Sequence, residues 1–408
     1  MTIIPFFSER LGNINALRAT ISVDKRCPVD RELAVKDNSL WLGSTKLIDS
    51  TVLGIPLDPN LITTTNMDQQ PDKNNETILW DIKIGTQQQQ VPRLAYDHEP
   101  KELLPAKALR EFELISCNHC SCPLVRAQDS KAPFRHKDMP SEHWYELVEC
   151  WICHETKPEE HRARMKPILA KPDVLLVGST YYLVHSDNLT PDSLVVDRDV
   201  ASKINWDNGT YTKWITVNCT SCSMPLGEGQ YEKYDEEPIL RAVKLFKYCV
   251  SILPTPTLTP CEMPTFMDFL VCDLVNAAKA HATYRFLIQG RNTGKIYCLI
   301  WLFNWDTQII YNRGFVSPSE PADVYHERAM KVLYLDCSDP ISKQTEQHVA
   351  AWSVDKTSEH LLYPDAYCVQ LISNLQKTTL LLPPSARVMN HPAMRTTMNF
   401  SVGFIKRP

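Results

Sequence analysis

One cysteine pattern, written twice, limits the possible folds of this chain more than any other feature. The stretch ELISCNHCSCPLV separates Cys117 and Cys120 by two residues and soon continues with Pro-Leu. Further along, ITVNCTSCSMPLG repeats the pattern with Cys219 and Cys222. Each pair follows a strand-like run, so both pairs are expected at hairpin corners. Two such corners facing each other would tie distant parts of the chain together.

Four thiolates are the ligand set of a structural zinc site. A Cys-x-x-Cys pair turns tightly enough for both sulfurs to reach one tetrahedral ion, and two pairs complete the coordination shell. The sequence therefore predicts that Cys117, Cys120, Cys219 and Cys222 bind Zn²⁺ and stabilise a small β-domain. Cys122 is close enough in sequence to replace Cys120. The alternative is four free cysteines that are simply buried or exposed.

The composition narrows the classes of partner. The chain has 408 residues, of which 43% are hydrophobic, enough for two or three globular domains. A formal net charge of -5 favours a protein partner over direct binding of nucleic acid or a membrane surface. We find no apolar stretch that could span a bilayer and no signal-peptide pattern, so an intracellular protein is expected. Its fourteen cysteines are then expected as thiols or metal ligands.

The spacing of apolar residues divides the chain into three regions. Residues 1–110 contain short β-branched runs typical of strands. Residues 111–235 are framed by the cysteine pattern and contain a strand-turn-strand candidate with its turn at Gly178. Residues 236–408 carry the longest helix signal, within 263–286, followed by apolar runs that predict a sheet. In that helix Thr265 and Asp268 form a capping signal, and Phe269, Leu274 and His281 lie on the apolar face by their spacing. The predicted class is α+β, with β-rich N-terminal and zinc-bearing middle regions and a C-terminal helix-plus-sheet region.

A second group of metal-ligating residues lies between the two cysteine pairs. The stretch DMPSEHWYELVECWICHETKPEEH predicts a short helix with a tryptophan face and with Cys150, Cys153 and His154 on its flank. Three functional interpretations are open: a second metal site, a reactive thiol, or a ligand presented to another protein's metal. The alternative is a helix end with incidental Cys and His, since three donors do not complete a zinc shell.

Several motifs in fixed order resemble one known family. MPSEHWYELVECWICH, VLLVGSTYYLVHSDNL, VNCTSCSMPLGEG, HATYRFLIQG and CLIWLFN are similar to the HECT-like ubiquitin-conjugating-enzyme-binding family of ubiquitin ligases. The resemblance implies a cytoplasmic and nuclear protein that binds a ubiquitin-conjugating enzyme and passes ubiquitin to protein substrates. It also implies that the segment 263–286 contacts that enzyme. The polar flank of the segment offers four candidate contacts: Asp268, Asp273, Asn276 and Lys279.

HECT-type chemistry requires a cysteine that receives ubiquitin as a thioester. The run LLYPDAYCVQLISNLQ resembles the HECT active-site run and nominates Cys368, preceded by Pro364. The run departs from the family pattern at Tyr363, Tyr367 and Val369. The alternative is that Cys368 is a small apolar residue in a half-buried strand or at a helix start.

The family resemblance also supplies a second hypothesis, connected with the zinc-dependent endonuclease of pre-mRNA 3'-end cleavage. Trp151, Cys153 and His154 match the element concerned. A Cys-His pair on an exposed helix end could fill the open coordination position of the nuclease's zinc and hold the nuclease inactive. In this hypothesis the chain is a non-catalytic regulator rather than a ligase.

Overall fold

The structure is a computed structural model that describes residues 4–24, 33–54, 56–66, 77–86, 103–109, 112–127, 134–140, 168–196, 201, 204–206, 212–234, 237–253, 264–317, 323–338, 341–389 and 399–407. In chain order, its strands and α-helices are β1 (Phe6–Leu11), β2 (Ala16–Asp24), β3 (Leu33–Lys36), β4 (Ser39–Leu42), β5 (Thr45–Asp49), β6 (Leu57–Asn66), β7 (Thr77–Thr86), β8 (Leu114–Cys117), β9 (Pro123–Arg126), β10 (Arg135–Asp138), β11 (Val174–Val177), β12 (Tyr181–His185), β13 (Leu194–Val196), β14 (Thr212–Cys219), β15 (Pro225–Tyr234), β16 (Glu237–Phe246), β17 (Val250–Leu253), α1 (Phe266–His281), β18 (Arg285–Gly290), β19 (Ile296–Asn312), β20 (Val324–Asp336), α2 (Lys343–Val354), β21 (Ser358–Tyr363), α3 (Asp365–Leu380), β22 (Val388–Met389) and β23 (Phe400–Lys406). The predicted α+β class is confirmed, with strands in the majority. None of the described helices is long and apolar enough to cross a membrane.

The chain divides into two compact units. The units are, first, Met1–Glu99, Leu270–Gly290 and Gly294–Pro408 and, second, Pro100–Phe269 and Arg291–Thr293. The division into regions 1–110, 111–235 and 236–408 rests on sequence periodicity and stays a prediction.

The first unit is built on one large sheet. Its described residues form ten strands in the order β22-β23-β20-β19-β1-β2-β7-β6, with β18 against β19 and β21 parallel to β18. The 17-residue strand β19 connects the two parts of this sheet, because it pairs with β18 near its start and with β1 near its end. Strands from the beginning and the end of the chain therefore share a sheet. A separate three-stranded sheet, β3-β4-β5, completes the strands of this unit.

Buried polar contacts hold β1 against its sheet neighbours. Lys331 on β20 donates to the Glu9 carboxylate at 2.5 Å, and both side chains are largely buried. The hydroxyl of Ser8 donates to the Ile310 carbonyl at 3.1 Å. The Asn312 side chain accepts from the N–H of Phe6 at 3.1 Å. These bonds satisfy polar groups that would otherwise be costly inside the sheet, so they also select its register.

The α1 helix begins with the capping signal that the sequence predicts. The N–H and the hydroxyl of Thr265 both donate to the Asp268 carboxylate, at 2.6 and 2.7 Å. The apolar residues Phe269 and Leu274 are buried, as their spacing predicts. His281, which the same spacing assigns to the apolar face, is instead exposed near the helix end, and its ring contacts Glu359 at 3.1 Å.

The second unit contains two described sheets. Seven strands follow the order β10-β11-β12-β16-β15-β14-β13, and three follow the order β17-β8-β9. The predicted strand-turn-strand is confirmed as β11 and β12, and the Gly178 N–H between them donates to the Tyr181 carbonyl at 2.9 Å. Val184, Val217 and Val243 are completely buried on the core face of the larger sheet. The two cysteine patterns begin at the ends of strands that belong to different sheets of this unit.

The close approach of β15 and β16 at Gly227 gives a stability prediction. A Cβ added at Gly227 would lie 1.7 Å from the Lys244 carbonyl oxygen, which is backbone and cannot rotate away. We expect Gly227→Ala to lower the free energy of unfolding by about 3 kcal/mol or more, measured by urea denaturation. In the control Gly12→Ala, the added Cβ meets nothing within 4 Å, and we expect a change below about 0.5 kcal/mol. Equal stability of Gly227→Ala and the unsubstituted chain would contradict this strand packing.

Candidate metal centre

The two cysteine patterns fold into two hairpins with the same backbone conformation at their turns. One hairpin leaves β8 at Cys117 and enters β9 at Pro123, and the other leaves β14 at Cys219 and enters β15 at Pro225. In both hairpins the pairing register shifts just before the first cysteine. The repeated cysteine pattern therefore forms the same kind of hairpin twice.

The same hydrogen bonds close both turns. The Cys117 N–H donates to the Cys122 carbonyl at 2.9 Å, and the Cys219 N–H donates to the Met224 carbonyl at 2.8 Å. In each turn, the serine that follows the second cysteine donates its N–H to the carbonyl of the first cysteine, at 2.9 and 2.8 Å. Each cysteine pair is thus fixed on a rigid corner rather than on a free loop.

Sequence reasoning missed the role of these serines. Ser121 and Ser223 both have φ of 60°, in the left-handed region that costs a residue with a Cβ about 1 to 2 kcal/mol. Both turns keep this conformation, so the closing hydrogen bonds outweigh its cost. The signal was available in the sequence, because a serine follows the second cysteine in both patterns.

The two hairpins bring the four predicted ligands together. The sulfur atoms of Cys117, Cys120, Cys219 and Cys222 all lie within 4.8 Å of one another. The Cys117 and Cys222 sulfurs are 3.7 Å apart, and those of Cys120 and Cys219 are 3.6 Å apart. Four thiols at this spacing can hold a metal ion. The Cys122 sulfur lies outside this group and contacts the Pro123 carbonyl at 3.8 Å.

Burial and backbone amides act in opposite directions on these thiols. Burial raises the pKa of Cys117, while the N–H groups of Cys120 and His119 favour its thiolate. Burial also raises the pKa of Cys219, and two N–H groups of its own turn again favour the thiolate. The pKa of the exposed Cys120 is lowered, chiefly by the N–H of Cys122. A bound cation has to displace the protons of the buried thiols, so metal affinity falls as the pH falls.

Cys368, the nominated catalytic residue, lies in the first turns of α3. It is 0% exposed, and its S–H donates to the Tyr363 carbonyl at 3.7 Å. Tyr363 is also buried, and its hydroxyl donates to the Asp273 carboxylate at 2.6 Å. The tyrosine that departs from the HECT pattern thus has a structural role of its own. The catalytic role of Cys368 stays a prediction.

The four candidate contacts on α1 differ in their surroundings. Asp268 caps the helix, and Asp273 accepts the hydroxyl of Tyr363. Asn276 is half-buried, whereas Lys279 is exposed. Lys279 is therefore the candidate best placed to meet another protein, although contact through any of the four stays a prediction.

The sequence also predicts a second cysteine-histidine group, between the two cysteine pairs. Trp151, Cys153 and His154, together with Cys150, lie outside the described residues. Their proposed action on a metal in this chain or in another protein stays a prediction.

Comparison with known proteins identifies the family. The model of a family described as HECT-like ubiquitin-conjugating enzyme (E2)-binding matches residues 9–393, nearly the whole chain. The chain belongs to the HECT-like E2-binding family. This confirms the family resemblance noted in the sequence. No solved structure matches the chain.

Curated relatives of this HECT-like E2-binding protein include two mammalian proteins named as E3 ubiquitin-protein ligases. The Mus musculus ligase is 29% identical over 299 residues, which cover 70% of this chain and 69% of the relative. The Homo sapiens ligase of the same name is 28% identical over 309 residues, covering 70% and 71%. An uncharacterized protein of Saccharomyces cerevisiae is 24% identical over 278 residues, covering 67% and 65%.

The geometry of the four sulfurs predicts the metal content of single variants. We expect the purified chain to bind one transition-metal ion, and Cys117→Ser to reduce its content below about one tenth, because a hydroxyl is a poor replacement for a thiolate ligand. Elemental analysis after gel filtration measures this, and thermal unfolding should show that Cys117→Ser is less stable.

Cys122→Ser is the matched control, since it alters a cysteine of the same turn that lies outside the four-sulfur group. It should keep the full metal content. If Cys122→Ser lost the ion and Cys117→Ser kept it, the assignment of ligands would be wrong.

Proposed function

We propose that this HECT-like E2-binding protein binds a ubiquitin-conjugating enzyme carrying ubiquitin and promotes ubiquitin transfer to protein substrates. The observation that carries the proposal is the family match over residues 9–393. The names of the mouse and human relatives support ligase activity. A location in the cytoplasm and nucleus and a direct contact with ubiquitin stay predictions.

The surroundings of Cys368 favour a transfer that does not pass through its thiol. A thioester acceptor needs a sulfur that a bulky ubiquitin-loaded enzyme can reach. Cys368 is completely buried, and the helix start that contains it is held by a 3.0 Å bond from the Tyr297 hydroxyl to Asp365. We therefore expect the chain to hold the loaded enzyme near its substrate, so that ubiquitin leaves the conjugating enzyme directly.

The metal in the four-cysteine site is proposed to be zinc. Tetrahedral zinc with Zn–S bonds of about 2.3 Å separates its sulfurs by about 3.8 Å. The cross-hairpin distances of 3.7 and 3.6 Å are close to this value. A shell of four thiolates leaves no open position for water, so the ion would be structural rather than catalytic. The turn amides that favour the thiolates offset part of the shell's negative charge.

Discharge of ubiquitin from loaded conjugating enzymes tests the proposed activity. We expect the chain to accelerate discharge from at least one enzyme of a panel without forming a thiol-sensitive ubiquitin adduct. Cys368→Ala should keep at least about half of the rate, since alanine replaces a small buried side chain. Non-reducing and reducing gels of the same reaction measure both quantities.

Cys298→Ala is the matched control, because Cys298 is another completely buried cysteine of the first unit. An adduct that persists in Cys298→Ala but disappears in Cys368→Ala would establish a thioester on Cys368 and overturn the direct transfer. No acceleration with any enzyme of the panel would contradict ligase activity, while binding measured by calorimetry would then test the E2 contact separately.

Charge reversal on α1 tests the proposed contact surface. Lys279 is exposed on this helix, so Lys279→Glu should weaken binding of the conjugating enzyme at least about fivefold if the helix lies in the interface. Lys377→Glu makes the same change at an exposed position of α3 and should leave the affinity unchanged. Equal affinities of the two variants would place the contact elsewhere.

A further inference from the structure

The four sulfurs of the metal centre are not equally accessible. Cys120 is exposed and Cys222 is half-buried, whereas Cys117 and Cys219 are 1% and 0% exposed. A small oxidant in solvent therefore meets Cys120 first. Thiol oxidation follows access as well as thiolate character, and a metal-bound cysteine is a thiolate.

Two of the sulfur–sulfur contacts run between the hairpins. The Cys120 sulfur contacts that of Cys219 at 3.6 Å, and the Cys117 sulfur contacts that of Cys222 at 3.7 Å. These pairs are 99 and 105 positions apart in the chain. A disulfide needs the sulfurs to approach to about 2.05 Å. Each pair has to close by little more than 1.5 Å once the ion no longer separates the sulfurs.

We propose that the centre is a redox-sensitive site, in which a peroxide releases the metal and joins the two hairpins through Cys120–Cys219 and then Cys117–Cys222 disulfides. The inference rests on the proposed metal site and goes beyond the proposed ligase function. Cys122 takes no part, because its sulfur contacts the Pro123 carbonyl and lies outside the group.

The chemistry balances with one peroxide for each disulfide. The Cys120 thiolate attacks one peroxide oxygen, the O–O bond breaks, and hydroxide leaves, giving a sulfenic acid. The Cys219 thiolate then attacks that sulfur, forms the S–S bond and releases a second hydroxide. Two protons convert the hydroxides to water, and the metal keeps two thiolates. A second peroxide oxidises Cys117 and Cys222 in the same way, and the ion, left without ligands, dissociates.

The consequence is that oxidation and chelation should affect the second unit differently. Chelation under reducing conditions removes the ion and leaves the two hairpins unconnected. Oxidation removes the ion as well, but the disulfides replace the non-covalent link by a covalent one between distant positions, which restricts the unfolded chain. The oxidised protein is therefore metal-free, and its two hairpins are still joined.

Peptide mapping of the full-length, zinc-loaded chain tests the inference. Trypsin releases Cys117, Cys120 and Cys122 on the peptide 111–126 and Cys219 and Cys222 on the peptide 214–233. After hydrogen peroxide, we expect zinc release measured with a colorimetric chelator and a disulfide-linked pair of these two peptides. Fragmentation should assign Cys120 to Cys219, and thermal unfolding should occur at a higher temperature than in chelated, reduced protein. Dithiothreitol with zinc should restore the starting material.

Cys122→Ser is the control and should behave as the unsubstituted chain does. Disulfides inside either peptide, a bond to Cys122, or sulfinic acid without any disulfide would each overturn the proposal. Elemental analysis before oxidation separates the two levels of failure. A chain purified without metal refutes the metal site and this inference together, whereas a metal-bound chain that gives the wrong disulfides refutes only the inference.

Discussion

The second unit depends on the meeting of four sulfur atoms from two hairpins that are distant in sequence. Cys117 ends a strand of the three-stranded sheet and Cys219 ends a strand of the seven-stranded sheet, so the cluster links two separate sheets. Thiolates at this spacing repel one another unless a cation lies between them. The turns offset part of that repulsion in advance, since each directs two amides at the sulfur of its first cysteine.

A different kind of constraint organises the first unit. Its sheet joins β1 to β19 across about three quarters of the chain, with Phe7 opposite Tyr311. Such pairing has a high entropic cost during folding because a long loop must close before the contact forms. The buried pair Lys331–Glu9 and the bond from Ser8 to Ile310 become available only after that closure. They therefore stabilise the finished sheet and select its register.

The sequence predicts local structure in this protein well and long-range partners poorly. The cap of Thr265 by Asp268 and the turn at Gly178 were predictable because their signals lie within a few residues. Periodicity tells which face of a strand is buried but not which strand lies beside it, so the partner of β1 was not predictable. His281 shows the limit for helices, because the apolar spacing continues past the point where burial ends.

The candidate site was predictable because it is written twice. Duplication of Cys-x-x-Cys raised the pattern above chance, whereas the single run around Cys368 could not separate catalysis from packing. The burial of Cys368 depends on contacts that its neighbours in sequence do not predict, because the Tyr363 hydroxyl donates to the Asp273 carboxylate and the Tyr363 carbonyl accepts from the Cys368 thiol.

The shared sheet of the first unit limits how this protein can be dissected. A fragment that begins after β7 would lack the strand beside β19 and would leave the Lys331 ammonium in a largely buried place without the Glu9 carboxylate. Failure of such a fragment to bind a partner would report misfolding, not the position of the contact. Deletion variants therefore cannot locate a partner's contact surface on this protein. Single substitutions at exposed positions of the intact chain are the suitable method.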